Sequence, residues 1–316
     1  MKLSQKRITI KLYLFWGEIM KGKIDLHMHS AYSIDGEFEP KVLIEKAKAA
    51  GIEVIALSDH NSIAGVDEMV AYGKEAGIRV IPAIEFDTKF EGFDTHILGY
   101  NLDYHHPCFD GYDKKIDAKI HDSFRGVMQR IKDHFGAVVE IDEIIEDISK
   151  GGNPFDKMYG RILHDPRNAH IEAFKPYQPG GHRSEPAVVN FYWDLLSAGT
   201  PCYVPVDYPK MEDIVKLIHE HGGKAVIAHP WKKYYHREDL LDKAISLGID
   251  GIEAYSNYHE KEHNDYYYNY CIEHHIPITC GSDFHGKFKK AIELGEYGCE
   301  KDAMLLCEAF LQLLDK

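Results

Sequence analysis

The chain has 316 residues with 44% apolar and 28% charged content, enough for one large core or two modest ones in an ordinary globular protein. Its formal net charge of -14 argues against a surface built to grip long nucleic acid, while leaving room for a small phosphorylated molecule held by local cations or bound metals. Six cysteines without a C-x-x-C pair read as reduced thiols of a cytoplasmic protein, and no run approaches the roughly 20 apolar residues of a membrane helix.

Residues 1–20 read as an N-terminal extension rather than a signal peptide, because the apolar run is broken by Lys11 and followed by Gly17 and Glu18, with Met20 a candidate start. A barrel-like segment is expected over 21–104. It opens with the strand "KIDLH", then a helix "KVLIEKAKAAG" with Val42, Leu43, Ala47 and Ala50 on one stripe and Gly51 as its stop. The strand "EVIALSDH", the helix "GVDEMVAYGKEAG" and the strands "RVIPAIEF" and "THILGY" follow. Over 105–205 the rhythm lapses into helix-like stretches, among them "KKIDAKIHDSFRGVMQRIKDHFG", "IDEIIEDISKGG" and "FDKMYGRILHDPRNAHIEAF", and a Gly/Pro-rich passage "KPYQPGGHRSEP". This reads as a mostly helical insertion that shapes a substrate pocket. From 206 to 316 the strands "KAVIAHP", "DGIEAY" and "PITCGSDFH" alternate with helices, and the helix "KDAMLLCEAFLQLLDK" closes the chain. About seven core strands in this order predict an α/β fold, a barrel or a strongly curved sheet.

His27 and His29 stand two apart at the end of the first strand, so both imidazoles point to one face. Alone, such a pair is explained as well by one packed and one solvated histidine as by a metal. The other strands decide. Asp59 and His60 end the second, Glu85 the third, His229 the fifth and Asp283 and His285 the seventh, while Glu253 lies near the end of the sixth. In parallel α/β architectures these ends share one face, where sites are built. His96 reaches the same face if the fourth strand runs antiparallel.

Together the motifs "DLHMHSAYS", "ALSDHNS", "PAIEFDT" with "THILGY", "AHPW" and "GSDFHG" resemble those of the polymerase and histidinol phosphatase (PHP) superfamily, over residues 23–104 and about 200–290. The resemblance implies a distorted seven-stranded barrel holding three divalent metals. It would place His27, His29, Glu85 and Asp283 on the first, Glu85 with His96 and His229 on the second, and His60, His285 and an aspartate on the third. That aspartate is Asp35 here, although family sequences often run serine, aspartate, glycine and Ile34 intervenes. Imidazole with carboxylate and no thiolate suits manganese, iron or zinc. A water bridging two such metals ionises near pH ~7, supplying hydroxide without a serine or cysteine nucleophile. Asp25 and Asp59 are each expected to orient an imidazole or to cap a loop.

The function implied is metal-dependent hydrolysis of a small phosphate ester, a nucleotide or another phosphorylated metabolite. The alternatives are a 5′–3′ exonuclease on short oligonucleotides and a non-catalytic metal-binding module. A cation opposite the metals would grip the phosphate. Among Arg125, Arg130, Arg161, Arg167 and Arg183, the last is favoured because it lies in a glycine-rich turn, with pairing to Glu185 as its alternative. His259 and His263 are open between proton donation and solvation. The Tyr266–Tyr268 run suits packing of a helix better than base stacking.

Overall fold

The computed structural model describes residues 23–150, 153–299 and 301–315; the expected extension over 1–20 lies outside them. Among the described residues, seven strands form one sheet in sequence order: β1 (Lys23–Met28), β2 (Ile52–Leu57), β3 (Arg79–Phe90), β4 (Phe93–Tyr100), β5 (Lys224–Ile227), β6 (Gly251–Ser256) and β7 (Ile278–Gly281). The pairs β1/β2, β2/β3, β5/β6 and β6/β7 are parallel, and β4/β5 is antiparallel. Backbone bonds from Asp283 N to His27 O and from His29 N to Phe284 O, each 2.9 Å, bring the last strand back to the first. The sheet is thus a nearly closed (β/α)7 barrel, and β4 runs against the others as His96 requires.

Helices α1 (Pro40–Ala49) and α2 (Val66–Ala76) follow β1 and β2. In α1 the buried stripe is Pro40, Leu43, Ile44 and Ala47, with Val42 and Ala50 only half-buried; the apolar arc lies one residue round from the expected one. β3 overruns its expected end by four residues and turns into β4 through Glu91 and Gly92, both left-handed, the geometry of a tight hairpin.

The described chain divides into two compact units, one of residues up to Phe90, Asp94–Asp110 and from Pro209 onward, the other of Glu91–Phe93 and Gly111–Tyr208. The second holds α3 (Tyr112–Phe135), α4 (Ile141–Ser149), α5 (Pro154–Leu163) and α6 (Ala187–Phe191). Its own core joins Phe124, Met128, Ile131, Ile144, Ile162 and Phe174. The expected long helix to Phe174 stops at Leu163, because Pro166 cannot continue it, and short 3-10 turns replace the rest. In the first unit α7 (Met211–Glu220), α8 (Glu238–Ser246), α9 (Lys261–His274) and α10 (Lys301–Leu314) follow. On α9, Tyr267 is buried and donates to Pro230 O at 2.9 Å, which identifies it as a packing tyrosine.

At Gly281 β7 packs tightly against β1. A Cβ there would stand 2.2 Å from His27 Cβ and 2.7 Å from His27 N, and these atoms belong to a strand that cannot yield. Gly281→Ala is therefore expected to destabilise the protein by about 1–3 kcal/mol, the usual range for overpacking, as measured by denaturant unfolding. An unchanged midpoint would contradict this reading of the strand contact.

Candidate metal centre

The alternation of β1 turns His27 and His29 to the barrel interior, their ring centroids 5.3 Å apart, and both side chains are fully buried. Glu85, midway along β3 and also fully buried, is where they meet. Its Oε2 is 3.1 Å from Nε2 of His27 and of His29 and 3.5 Å from His60 Nδ1; its Oε1 is 2.9 Å from His96 Nδ1 and 3.0 Å from His229 Nε2. Asp283 Oδ1 lies 3.2 Å from His27 Nε2 and 3.0 Å from His29 Nε2. His285 Nε2 is 3.2 Å from Asp35 Oδ2, and His60 Nε2 is 3.9 Å from the same oxygen. All nine residues expected as metal ligands thus stand in one continuous cluster.

Many of these contacts are not hydrogen bonds. Both ring nitrogens of His29, His60 Nδ1, Asp283 Oδ1 and His285 Nε2 are buried without a hydrogen-bond partner, a costly state for polar atoms in an apolar interior. Donor atoms of His27, His29, Glu85 and Asp283, of His29, Asp35, His60 and His285, and of His60, Glu85 and His96 each lie mutually within 4.8 Å. Orphaned lone pairs of mixed imidazole and carboxylate type, at that spacing, fit divalent cations.

Protonation follows the same crowding. Burial, helped by the neighbouring His285, drives His29 down to about 4, so it presents a neutral ring at pH 7. Burial opposes charge on His60, but Glu85 and Asp35 outweigh it and hold that ring up to about 10. Against burial, His27, His60 and His96 keep the Glu85 carboxyl well below its usual range. Lys289 Nζ donates to Asp283 Oδ2 at 2.8 Å, and Tyr258 OH donates to the same oxygen. Lys289 is the largest attraction keeping Asp283 ionised against burial. His229 and Asp283 hold φ of 25° and 55°, left-handed backbone that costs side-chain-bearing residues energy and collects at functional sites.

Asp25 and Asp59 take the second of their two expected roles and cap loops. Asp25 accepts from Ser282 N and Oγ, Gly295 N and His27 N, and Asp59 accepts from Ser30 N and Oγ. Neither hydrogen-bonds an imidazole; each ties a strand end to its neighbour's loop, and burial pushes both up to about 6. The carboxylate that orients a ring is Glu253, which takes His27 Nδ1 at 3.0 Å and accepts from His229 N at 2.7 Å. Asp87, absent from the expected set, is 3.2 Å from His96 Nε2 and 3.4 Å from His60 Nδ1, braced by Asn61. Its signal was the spacing in "EFD", which puts it on Glu85's face. Arg183 belongs to the helical unit, where Nε and Nη2 fork onto Asp194 at 2.9 and 2.8 Å; Asp194 and not Glu185 is its partner. His259 Nδ1 bonds Ala254 O, which leaves its buried Nε2 without a partner, and burial lowers that ring to about 4.

Buried imidazoles and carboxylates gathered at one rim of a (β/α)7 barrel define a class, the metal-dependent hydrolases. A PHP domain matches residues 25–313, and the chain belongs to the PHP-domain family. It is 30% identical to a 5′-3′ exoribonuclease of Haemophilus influenzae, over 84% of this chain and 91% of that one. It is 27% identical to a phosphoribosyl 1,2-cyclic phosphate 1,2-diphosphodiesterase of Eggerthella lenta, over 86% and 97%. The fold is shared with a solved amidohydrolase from Chromobacterium violaceum, bound to sulfate and without metal, at TM-score 0.71 and 24% identity over 93% and 96% of the two chains.

Glu253→Gln keeps the shape of the side chain but removes the charge that fixes the His27 tautomer. Loss of such a partner typically costs about 10- to 100-fold in metal affinity, so chelator competition should show a drop of that order. Wild-type affinity in the variant would sink the orienting role.

Proposed function

We propose that this protein hydrolyses a small phosphate ester, a nucleotide or another phosphorylated metabolite, with three divalent metals, manganese, iron or zinc, at the barrel rim. The observation that carries the metal requirement is the set of buried, unpartnered ring nitrogens and the unpartnered Asp283 Oδ1 around Glu85. In this proposal His27, His29, Glu85 and Asp283 hold one ion, Glu85, His96 and His229 a second, and Asp35, His60 and His285 a third. The mutual approach of His27, His29, Glu85 and Asp283 and of Asp35, His60 and His285 supports the first and third sets. The distances of His96 and His229 to one Glu85 oxygen support the second.

Bound there, divalent cations would lower the pKa of a water toward ~7 and offset charge on the phosphoryl group. The remaining work falls to the protein. Glu85, kept ionised, supplies the shared negative charge. Glu253 takes His27 Nδ1 and so turns Nε2 toward Glu85 and Asp283, and the Asp283 carbonyl oxygen takes His285 Nδ1 at 2.7 Å, leaving that ring's Nε2 toward Asp35. Lys289, fixed on Asp283, keeps ammonium donors for a phosphoryl oxygen. In this proposal Lys289 rather than Arg183, whose fork is taken by Asp194, grips the phosphate.

The Eggerthella lenta relative, named for a cyclic phosphate of a phosphorylated sugar, supports a small substrate, as does the acidic net charge. The Haemophilus influenzae relative favours the second reading, removal of nucleotides from short RNA ends. None of the described helices is long and apolar enough to cross a membrane, and the cysteine pattern supports a cytoplasmic location.

A phosphate-release screen over mononucleotides, nucleoside bisphosphates, sugar phosphates, cyclic phosphates and short oligonucleotides tests the proposal. Turnover of at least one small ester, abolished by chelator and restored by manganese or zinc, is expected. Stepwise mononucleotide release from oligonucleotides alone would select the exonuclease reading. Full activity after prolonged chelation, or metal uptake without turnover of any ester, would overturn both.

A further inference from the structure

Away from the Glu85 cluster, three cysteines meet from three separate segments: Cys280 on β7, Cys307 on α10 and Cys299 in the connection between them. Their sulfurs lie within 4.8 Å of one another. Cys280 and Cys307 are buried and Cys299 is partly exposed, and none of the three is in a disulfide. A single buried cysteine is commonly just a small apolar residue. Packing alone gives no reason for three sulfurs to converge, because any small apolar side chain would fill the space.

We infer that Cys280, Cys299 and Cys307 form a site for one thiophilic d10 cation, zinc or cuprous ion, separate from the phosphoesterase centre. Two Zn–S bonds of about 2.3 Å meeting at a tetrahedral angle hold their sulfurs roughly 3.8 Å apart. The sulfurs, all within 4.8 Å of one another, stand at most about 1 Å beyond that spacing. A disulfide would use two of the sulfurs and leave the third unexplained. Soft thiolates select these cations, whereas the Glu85 cluster offers only imidazole and carboxylate. On binding, three S–H protons pass to solvent and three metal–sulfur bonds form, with no change of oxidation state. Cys299 provides the open side through which the ion enters. Cys280 and Cys299 also bracket the segment carrying Asp283, His285 and Lys289, so a cation there would tie α10 to β7 and close the loop that delivers those side chains.

The test is titration of the chelator-stripped full chain with cadmium chloride, read by the thiolate-to-cadmium charge-transfer absorption. Cadmium at the Glu85 cluster meets no thiolate and adds nothing to this band. A saturable band with the intensity of three cadmium–thiolate bonds per chain is expected, whatever further cadmium the Glu85 cluster takes up silently, with the band cut by about a third in Cys299→Ser, as removal of one of three thiolates implies. Cys307→Ala serves as a second variant, with circular dichroism reporting its fold. In Cys108→Ser, which removes the thiol beside His106 and His221, the band should be unchanged. No band, a band lost only in Cys108→Ser, or a disulfide among these cysteines in the reduced-handled protein with no cadmium uptake would each overturn the assignment.

Discussion

The structure depends on one buried carboxylate. Glu85 has no solvent to share its charge, and nitrogens from five histidines on four segments stand within 2.9 to 3.5 Å of its two oxygens. An isolated ionised carboxylate in such a place would cost several kcal/mol even after relaxation. Positive charge must therefore come to it, as protons on the rings or as metal ions. Protons serve only in part, since His29 is kept neutral and lone pairs remain without donors. Divalent cations satisfy Glu85, Asp283 and the rings at once.

Holding five rings against one carboxylate constrains the backbone around them. Asp25 and Asp59 spend their acceptors on backbone and serine donors of neighbouring loops, fixing where β1, β2 and β7 end. Glu253 sets one ring's tautomer and, through His229 N, anchors the strained residue that follows β5. Gly281 lets β7 come close enough to β1 for Asp283 to reach His27 and His29. Rigid strand ends thus supply the precision, which side chains on loops alone would not give.

Much of this was legible in the sequence because the donors carry distinctive chemistry at strand ends. The period-two pair His27 and His29, the histidines at 60, 96, 229 and 285, and the carboxylates 35, 85 and 283 all fall in the observed cluster. Asp35 does so although Ile34 lengthens its turn. What escaped was of two kinds. Glu253 was visible at a strand end, but its role depends on the tilt of the His27 ring, which spacing does not encode. The three cysteines looked unrelated because β7, the connection after it and α10 converge only in the folded chain. The partner of Arg183 escaped for a similar reason: a glycine-rich turn shows that a side chain can reach away from its loop, not that Asp194 lies eleven residues on to receive it.

The central claim is that Glu85 gathers bound metal. The most direct measurement is metal stoichiometry of purified Glu85→Gln beside the unsubstituted protein, with circular dichroism of both. Gln keeps the volume of the side chain and removes its charge. The account predicts a folded variant that has lost most of its bound divalent metal. A folded variant that retains the full complement of metal would contradict it.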